Sequence, residues 1–347
     1  MTAHVRSFAA IVGIVAAVAL VVATTACTQA ATEPDESEFT TAPADAPTIA
    51  SADEVAATPG CASGTASESD EVSGQTYVAE IYVPAAPGRK RRAAVIDLHG
   101  LNSDGPTEAA QTGFRTLADT EGFVVAEPTG LPTLLGVLGW EIEAIDQPDR
   151  ADLAYIGALI DRLVAEYCVD PERVMVAGMS NGGLMAAEIG CRMPDRVRVV
   201  VAVAGYHRPA GCATATPVAE LAIHGTDDPV VPFAAGGRSL LLSDPRTPRG
   251  LRTLLASSIA DKFSAAAASA GCGTAPTETR TSPSVLRRTF PGCPPGADHE
   301  LVIVEGGGHT WPGAPIPEGG ELMGTTSTEF SATELAWEFF TQATSTG

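Results

Sequence analysis

The stretch Arg173-Val-Met-Val-Ala-Gly-Met-Ser-Asn-Gly-Gly-Leu184 constrains the fold more than any other part of the chain. It divides into a short β-branched run (Val174, Val176), a tight Gly178-Met-Ser-Asn-Gly182 segment, and an apolar-periodic run carrying Leu184, Met185 and Ile189. A buried strand that turns at once into a helix forces one residue into a strained conformation, and a Cβ at either flanking glycine would crowd the turn. Ser180 sits at the apex, with its hydroxyl clear of the sheet and at the positive end of a helix. That is the geometry of a nucleophile elbow. The motif alone is weak in a chain with 35 glycines; the strand before it and the helix after it give it weight.

Around this stretch the pattern alternates. Strands are expected at Ala93–Leu98, Phe123–Ala126, Val197–Ala204, Ala219–His224 and Glu300–Glu305, and an edge strand at Gln75–Val83, ended by Pro84. Helices are expected at Glu108–Thr120, Asp152–Tyr167 and Leu251–Ala270, with a last one opened by the capping box Ser331-Ala-Thr-Glu334. Repeated β-α units predict an α/β fold with a mostly parallel central sheet covered by helices on both faces. The cluster Pro87-Gly-Arg-Lys-Arg-Arg92 reads as a solvated hairpin turn.

The organisation before the folded domain is equally legible. His4 and Arg6, the apolar run Phe8–Val22 and the small residues up to Cys27 describe a secretory signal over residues 1–27. Ala26-Cys27 resembles a bacterial lipobox, with Thr24 where such sites usually carry Leu, making Cys27 a candidate lipid attachment site. Ordinary cleavage nearby would instead release the protein. Residues 28–60 hold seven acidic side chains, several prolines and no Lys or Arg, which predicts a disordered acidic tether. The catalytic domain is then expected over 61–347, exported, and tied to a membrane only through an N-terminal lipid. A net charge of −21 repels phosphate backbones and excludes nucleic acid as a partner.

If Cys27 carries lipid, six of the seven cysteines remain: Cys61, Cys168, Cys191, Cys212, Cys272 and Cys293. An even set in an exported chain points to three disulfides, with fifteen pairings permitted. The favoured set joins Cys191 to Cys212, Cys272 to Cys293, and Cys61 to Cys168. No C-x-x-C or His-rich spacing suggests a metal, and no organic cofactor is implied.

A serine hydroxyl needs a base within hydrogen-bond reach and a carboxylate to orient that base. His207 and His224 come too early for the order serine, acid, histidine, and His299 sits where a strand starts; only His309 lies just past a strand, in Gly306-Gly-Gly-His-Thr-Trp-Pro312. For the acid, His224-Gly-Thr-Asp-Asp-Pro229 offers Asp227 and Asp228, which the local pattern does not separate. The oxyanion of an acyl-transfer transition state would be met by the backbone N–H of Asn181 and by that of Leu101 in the turn after Ala93–Leu98. Trp311, two residues past the base, could pack against substrate or simply in the core; Trp140 is similar and weaker.

The segments LHG, GMSNGG, HGTDDPVVP and GGGHTWPG, in this order, resemble those of the secreted esterases that include polyhydroxybutyrate depolymerases and feruloyl or acetyl-xylan esterases, and of actinobacterial lipoprotein hydrolases. The resemblance runs from about Cys61 to the C-terminus. It implies an α/β-hydrolase fold, a Ser180–His309–Asp228 triad (choosing Asp228 over Asp227), and a bridge between Cys191 and Cys212. Where many relatives have Cys or Gly after LHG, this chain has Leu101, which changes the wall beside the oxyanion site. The expected activity is that of a carboxylic-ester hydrolase on a polyhydroxyalkanoate-type, feruloyl or related ester. A peptidase of the same fold and a non-catalytic surface-binding protein are the alternatives.

Overall fold

The consecutive apolar runs in the middle of the chain form strands buried on both faces. β3 (Arg92–Leu98) is buried at every residue, and its side chains alternate between two cores: Ala94, Ile96 and Leu98 face one, Ala93 and Val95 the other. β4 (Val124–Thr129), β5 (Val169–Met179), β6 (Val199–Val203), β7 (Ala219–Gly225) and β10 (His299–Val304) join it in one parallel block. The computed structural model describes residues 63–85, 91–133, 135–142, 151–212, 216, 218–245, 247–315 and 320–345. The expected signal segment, Cys27, the acidic stretch 28–60, Cys61 and residues 87–90 of the basic cluster lie outside the described residues.

Among the described residues the sheet has ten strands, in the order β1-β2-β4-β3-β5-β6-β7-β10-β9-β8. The outer pairs are antiparallel: β1 (Gly64–Val72) with β2 (Gln75–Val83), which in turn pairs antiparallel with β4, and β8 (Thr277–Ser282) with β9 (Val285–Thr289) beside β10. Gln75–Val83 is therefore not an edge strand, because β1 lies outside it. β1 and β8 escape a search for alternating apolar residues because their sequences, Gly-Thr-Ala-Ser-Glu-Ser-Asp-Glu-Val and Thr-Glu-Thr-Arg-Thr-Ser, are polar and largely exposed.

One face is covered by helices Asp152–Glu166, Asn181–Arg192 and Ile259–Ser269, which contribute Tyr155, Leu184 and Phe263. The other is covered by Phe114–Glu121 and Ala332–Ser345, which contribute Phe114, Trp337 and Phe340. Two expected helices are each split. Gly113, at φ 72°, ends Gly105–Thr112 in a left-handed cap before Phe114 starts the next helix. Arg249–Leu255 stops before Ser258, whose hydroxyl accepts from Asp261 N and so begins Ile259–Ser269 as a new helix. Ser331 caps the last helix as expected, accepting from Glu334 N at 3.2 Å. No helix among the described residues is long and apolar enough to cross a membrane.

Candidate active site

The carboxyl ends of β3, β5, β7 and β10 open on the same side, where a parallel sheet places its functional loops. Ser180 follows β5 directly at φ 56°, ψ −116°, a strained setting for a residue with a Cβ. Its amide donates to Val203 O on the neighbouring strand at 2.8 Å, and its carbonyl accepts from Leu184 N at 3.0 Å. A Cβ on Gly182 would collide with the Leu98 carbonyl, and one on Gly178 would lie 2.5 Å from the Gly182 carbonyl carbon. Glycine is thus required for helix and strand to approach this closely.

β7 ends at Gly225, and the following loop turns Asp228 inward while leaving Asp227 exposed. One carboxylate oxygen of Asp228 accepts from Val230 N and Val231 N, both at 2.8 Å. The other accepts from His309 Nδ1 at 2.8 Å and lies 3.3 Å from His224 Nε2. Burial alone would raise the Asp228 pKa, but attraction to His309, with hydrogen bonds from His224 and His309, outweighs it and holds the group well below the usual carboxylate range. An ionised Asp228 fixes His309 with Nδ1 protonated, which leaves Nε2 as the lone-pair nitrogen. The His309 loop is itself tied down: its amide donates to Met323 O, and Gly308 N to Thr325 O.

Ser180 and His309 line one cavity of about 270 Å³, together with Gly100, Leu101 and Trp311. Gly100 runs so close to the elbow that a Cβ there would sit 3.5 Å from Ser180 Cβ. The loop around Leu101 is locked from below. His99 donates from Nδ1 to Gly100 O at 2.7 Å and accepts from Gly130 N at Nε2, the tautomer of a neutral ring; burial lowers its pKa. Trp140 donates its indole N–H to His99 O, and its amide to the Asn181 side chain, which donates back to Trp140 O. Asn181 is the first residue of its helix, so its own amide belongs to a turn with no intrahelical acceptor.

A family description, phospholipase/carboxylesterase, matches residues 80–241. NocK of Nocardia uniformis subsp. tsuyamanensis, which bears an esterase name, is 29% identical over 288 residues, 77% of this chain and 80% of that protein. The chain is a carboxylesterase of the α/β-hydrolase type. Feruloyl esterase C of Emericella nidulans is 26% identical over 285 residues, 79% of this chain and 86% of that protein. A poly(3-hydroxybutyrate) depolymerase of Ralstonia pickettii is 33% identical over 141 residues, 36% of this chain but only 28% of the depolymerase. Among solved structures, an acetyl xylan esterase from Aspergillus awamori superposes with a TM-score of 0.51 at 16% identity, over 74% of this chain and 97% of that one. That likeness speaks for the fold.

The other expected residues fall as follows in the esterase. Trp311 is 1% exposed; its indole donates to Thr333 Oγ1 at 3.0 Å and meets Phe114 edge-on, so it packs the core while one side reaches the cavity. Trp140 is fully buried and supports the loop rather than facing substrate. Cys191–Cys212 and Cys272–Cys293 are bridged, and Cys168 is disulfide-bonded, while Cys61 lies outside the described residues. Cys272, Cys293 and His299 cluster closely enough for a metal, but the two sulfurs are bonded to each other and offer no thiolate.

Sequence reasoning missed two contributors. His224 reads as the end of a strand, yet it shares the acid with His309. Glu108 reads as a helix residue, yet it is 1% exposed, borders the cavity and accepts from the Gly100 backbone. It lies beside buried Asp97, to which Thr112 Oγ1 donates at 2.5 Å. Burial pushes both carboxyls well up, with repulsion from Glu127 added at Asp97 and from Asp97 at Glu108. A helical Glu just after an HG turn is the only signal that could have marked it.

Proposed function

We propose that the chain is an exported serine carboxylic-ester hydrolase working through Ser180, His309 and Asp228. Ser180 Oγ attacks the ester carbonyl as His309 Nε2 takes its proton, and ionised Asp228 stabilises the imidazolium. The Leu101 and Asn181 amides receive the oxyanion, each such donor being worth about 3 kcal/mol of barrier. His309 returns the proton to the departing alcohol, and water then hydrolyses the acyl-enzyme by the same steps in reverse order. Polyhydroxyalkanoate-type, feruloyl and related esters are the substrate classes that the similar proteins suggest.

One observation carries this reading: Ser180 and His309 face the same cavity while Asp228 occupies the far nitrogen of the imidazole. An N-terminal signal, lipid on Cys27 and an acidic tether over 28–60 would hold the enzyme at the outer face of the membrane. A fluorophosphonate probe tests the chemistry. Wild type should label, Ser180→Ala should not, and Asp228→Asn should label far more slowly. Equal labelling of wild type and Ser180→Ala ends the proposal.

A further inference from the structure

Two cavities meet at Ser180. The larger, about 270 Å³, contains His309 and is walled mainly by apolar side chains, Met179, Val230, Trp311 and Met323 among them, with Ser103, Gln111 and Thr310 as polar members. The smaller, about 30 Å³, lies on the Asn181 side and is walled by Leu135, Ile142, Leu184, Val231 and Leu251. Leu101, Ser180 and Leu241 border both. A carbonyl carbon held at Ser180 must therefore send its two substituents into different spaces.

We propose that the small apolar cavity takes the acyl chain and the large one the alcohol, which makes the substrate a short-chain aliphatic ester of a bulkier alcohol. This rests on the Ser180–His309–Asp228 reading. Its orientation follows from proton transfer: the departing alcohol oxygen takes its proton from His309, so it must lie on the His309 side. His309 borders the large cavity and is not among the residues around the small one. The acyl chain is left the other direction, where Leu, Ile and Val side chains reward burial of methylenes and the two polar side chains beside them, Thr133 and Asn181, are already bonded to Val137 O and to the Trp140 backbone.

Size sets the limit. A space of about 30 Å³, where one water takes roughly 10–15 Å³, admits two or three carbon-sized groups. Acetyl, propionyl and butyryl groups fit; a phenylpropenoyl ring does not. Feruloyl esters are thereby disfavoured, although feruloyl esterases stand among the similar proteins.

The experiment is a kcat/KM series on p-nitrophenyl acetate, butyrate, hexanoate and octanoate, with methyl ferulate alongside. Wild type should lose at least about tenfold between butyrate and hexanoate, and should turn over methyl ferulate poorly. Leu251→Ala should raise the hexanoate-to-butyrate ratio by about tenfold. Leu135→Trp, at a half-exposed turn position that tolerates bulk, should lower the butyrate-to-acetate ratio and serves if Leu251→Ala fails to fold. Met323→Ala, which borders only the large cavity, should leave the acyl-length ratios unmoved. Octanoate or ferulate hydrolysed as well as acetate, or an acyl profile shifted by Met323→Ala and not by the small-cavity variants, overturns the assignment. Fluorophosphonate labelling run in parallel separates the failures. Ser180 labelled with a flat acyl profile sinks only the cavity assignment, whereas no Ser180-dependent labelling sinks the triad and this proposal together.

Discussion

The elbow and the base arm of this esterase are built in opposite ways. Ser180 is held by backbone: a positive φ, a ladder bond to Val203 and close approach of Gly178 and Gly182 to their neighbours. His309 and Asp228, 81 residues apart, are held by side-chain hydrogen bonds between loops. The first arrangement depends on shape and ignores protonation; the second depends on charge and can fail with the fold intact. In the proposed mechanism, one region makes the nucleophile available and the other makes it reactive.

The largest effect should come from Ser180→Ala, which removes the proposed nucleophile and should lower kcat by on the order of 10⁶-fold, with an unchanged melting curve. Asp228→Asn should cost about 10⁴-fold in kcat, through loss of the ordered tautomer, again without unfolding. Gly182→Ala breaks the other region. Its Cβ meets the Leu98 carbonyl, and the expected outcome is a loss of about 4 kcal/mol in chemical denaturation, since the contact is with backbone that cannot yield. A Gly182→Ala protein as stable as wild type would remove the contrast altogether.

Smaller effects sharpen the comparison. His224→Phe takes one partner from Asp228 and should reduce kcat by about tenfold, through the loss of one hydrogen bond to a charged group. The smallest effect separates two kinds of buried carboxyl by pH. Asp228, held low chiefly by His309 against the cost of burial, contributes stability that is in place above about pH 4 and is lost as the pH falls through its depressed folded value. Asp97 and Glu108, raised chiefly by burial, behave oppositely: their contribution is present below about pH 4 and is lost as the pH rises through their elevated folded values. Glu108→Gln should therefore raise Tm by roughly 2–4 °C at pH 8 and change it little at pH 4. A stabilisation larger at pH 4 than at pH 8 would reverse the sign.

The two regions also differ in how far the chain alone reveals them. The elbow is contiguous, so strand, glycines and helix can be read as one local pattern from Arg173 to Leu184. The parallel strands declare themselves for a related reason: burial on both faces demands unbroken apolar runs. The base arm could be reached only by elimination among histidines, and the choice between Asp227 and Asp228 required either resemblance or coordinates. His224 and Glu108 were hidden because their roles arise from approach in space, with nothing distinctive on either side of them in sequence. β1 and β8 were hidden by composition, since a sheet margin that faces water has no need of apolar alternation. Gly113 and Ser258 split helices whose apolar spacing continues across the break, so caps decided what periodicity could not.

β1, the outermost strand at one margin of the sheet, carries Glu68, Asp70 and Glu71. Arg162 binds the first two, at 3.3 and 2.5 Å. Exposed margins of this kind invite a neighbouring molecule to add its own strand, and fixed anionic charge opposes that addition. Copies brought close together would meet there with like sign toward like, and so stay as separate particles rather than join into a continuous ribbon.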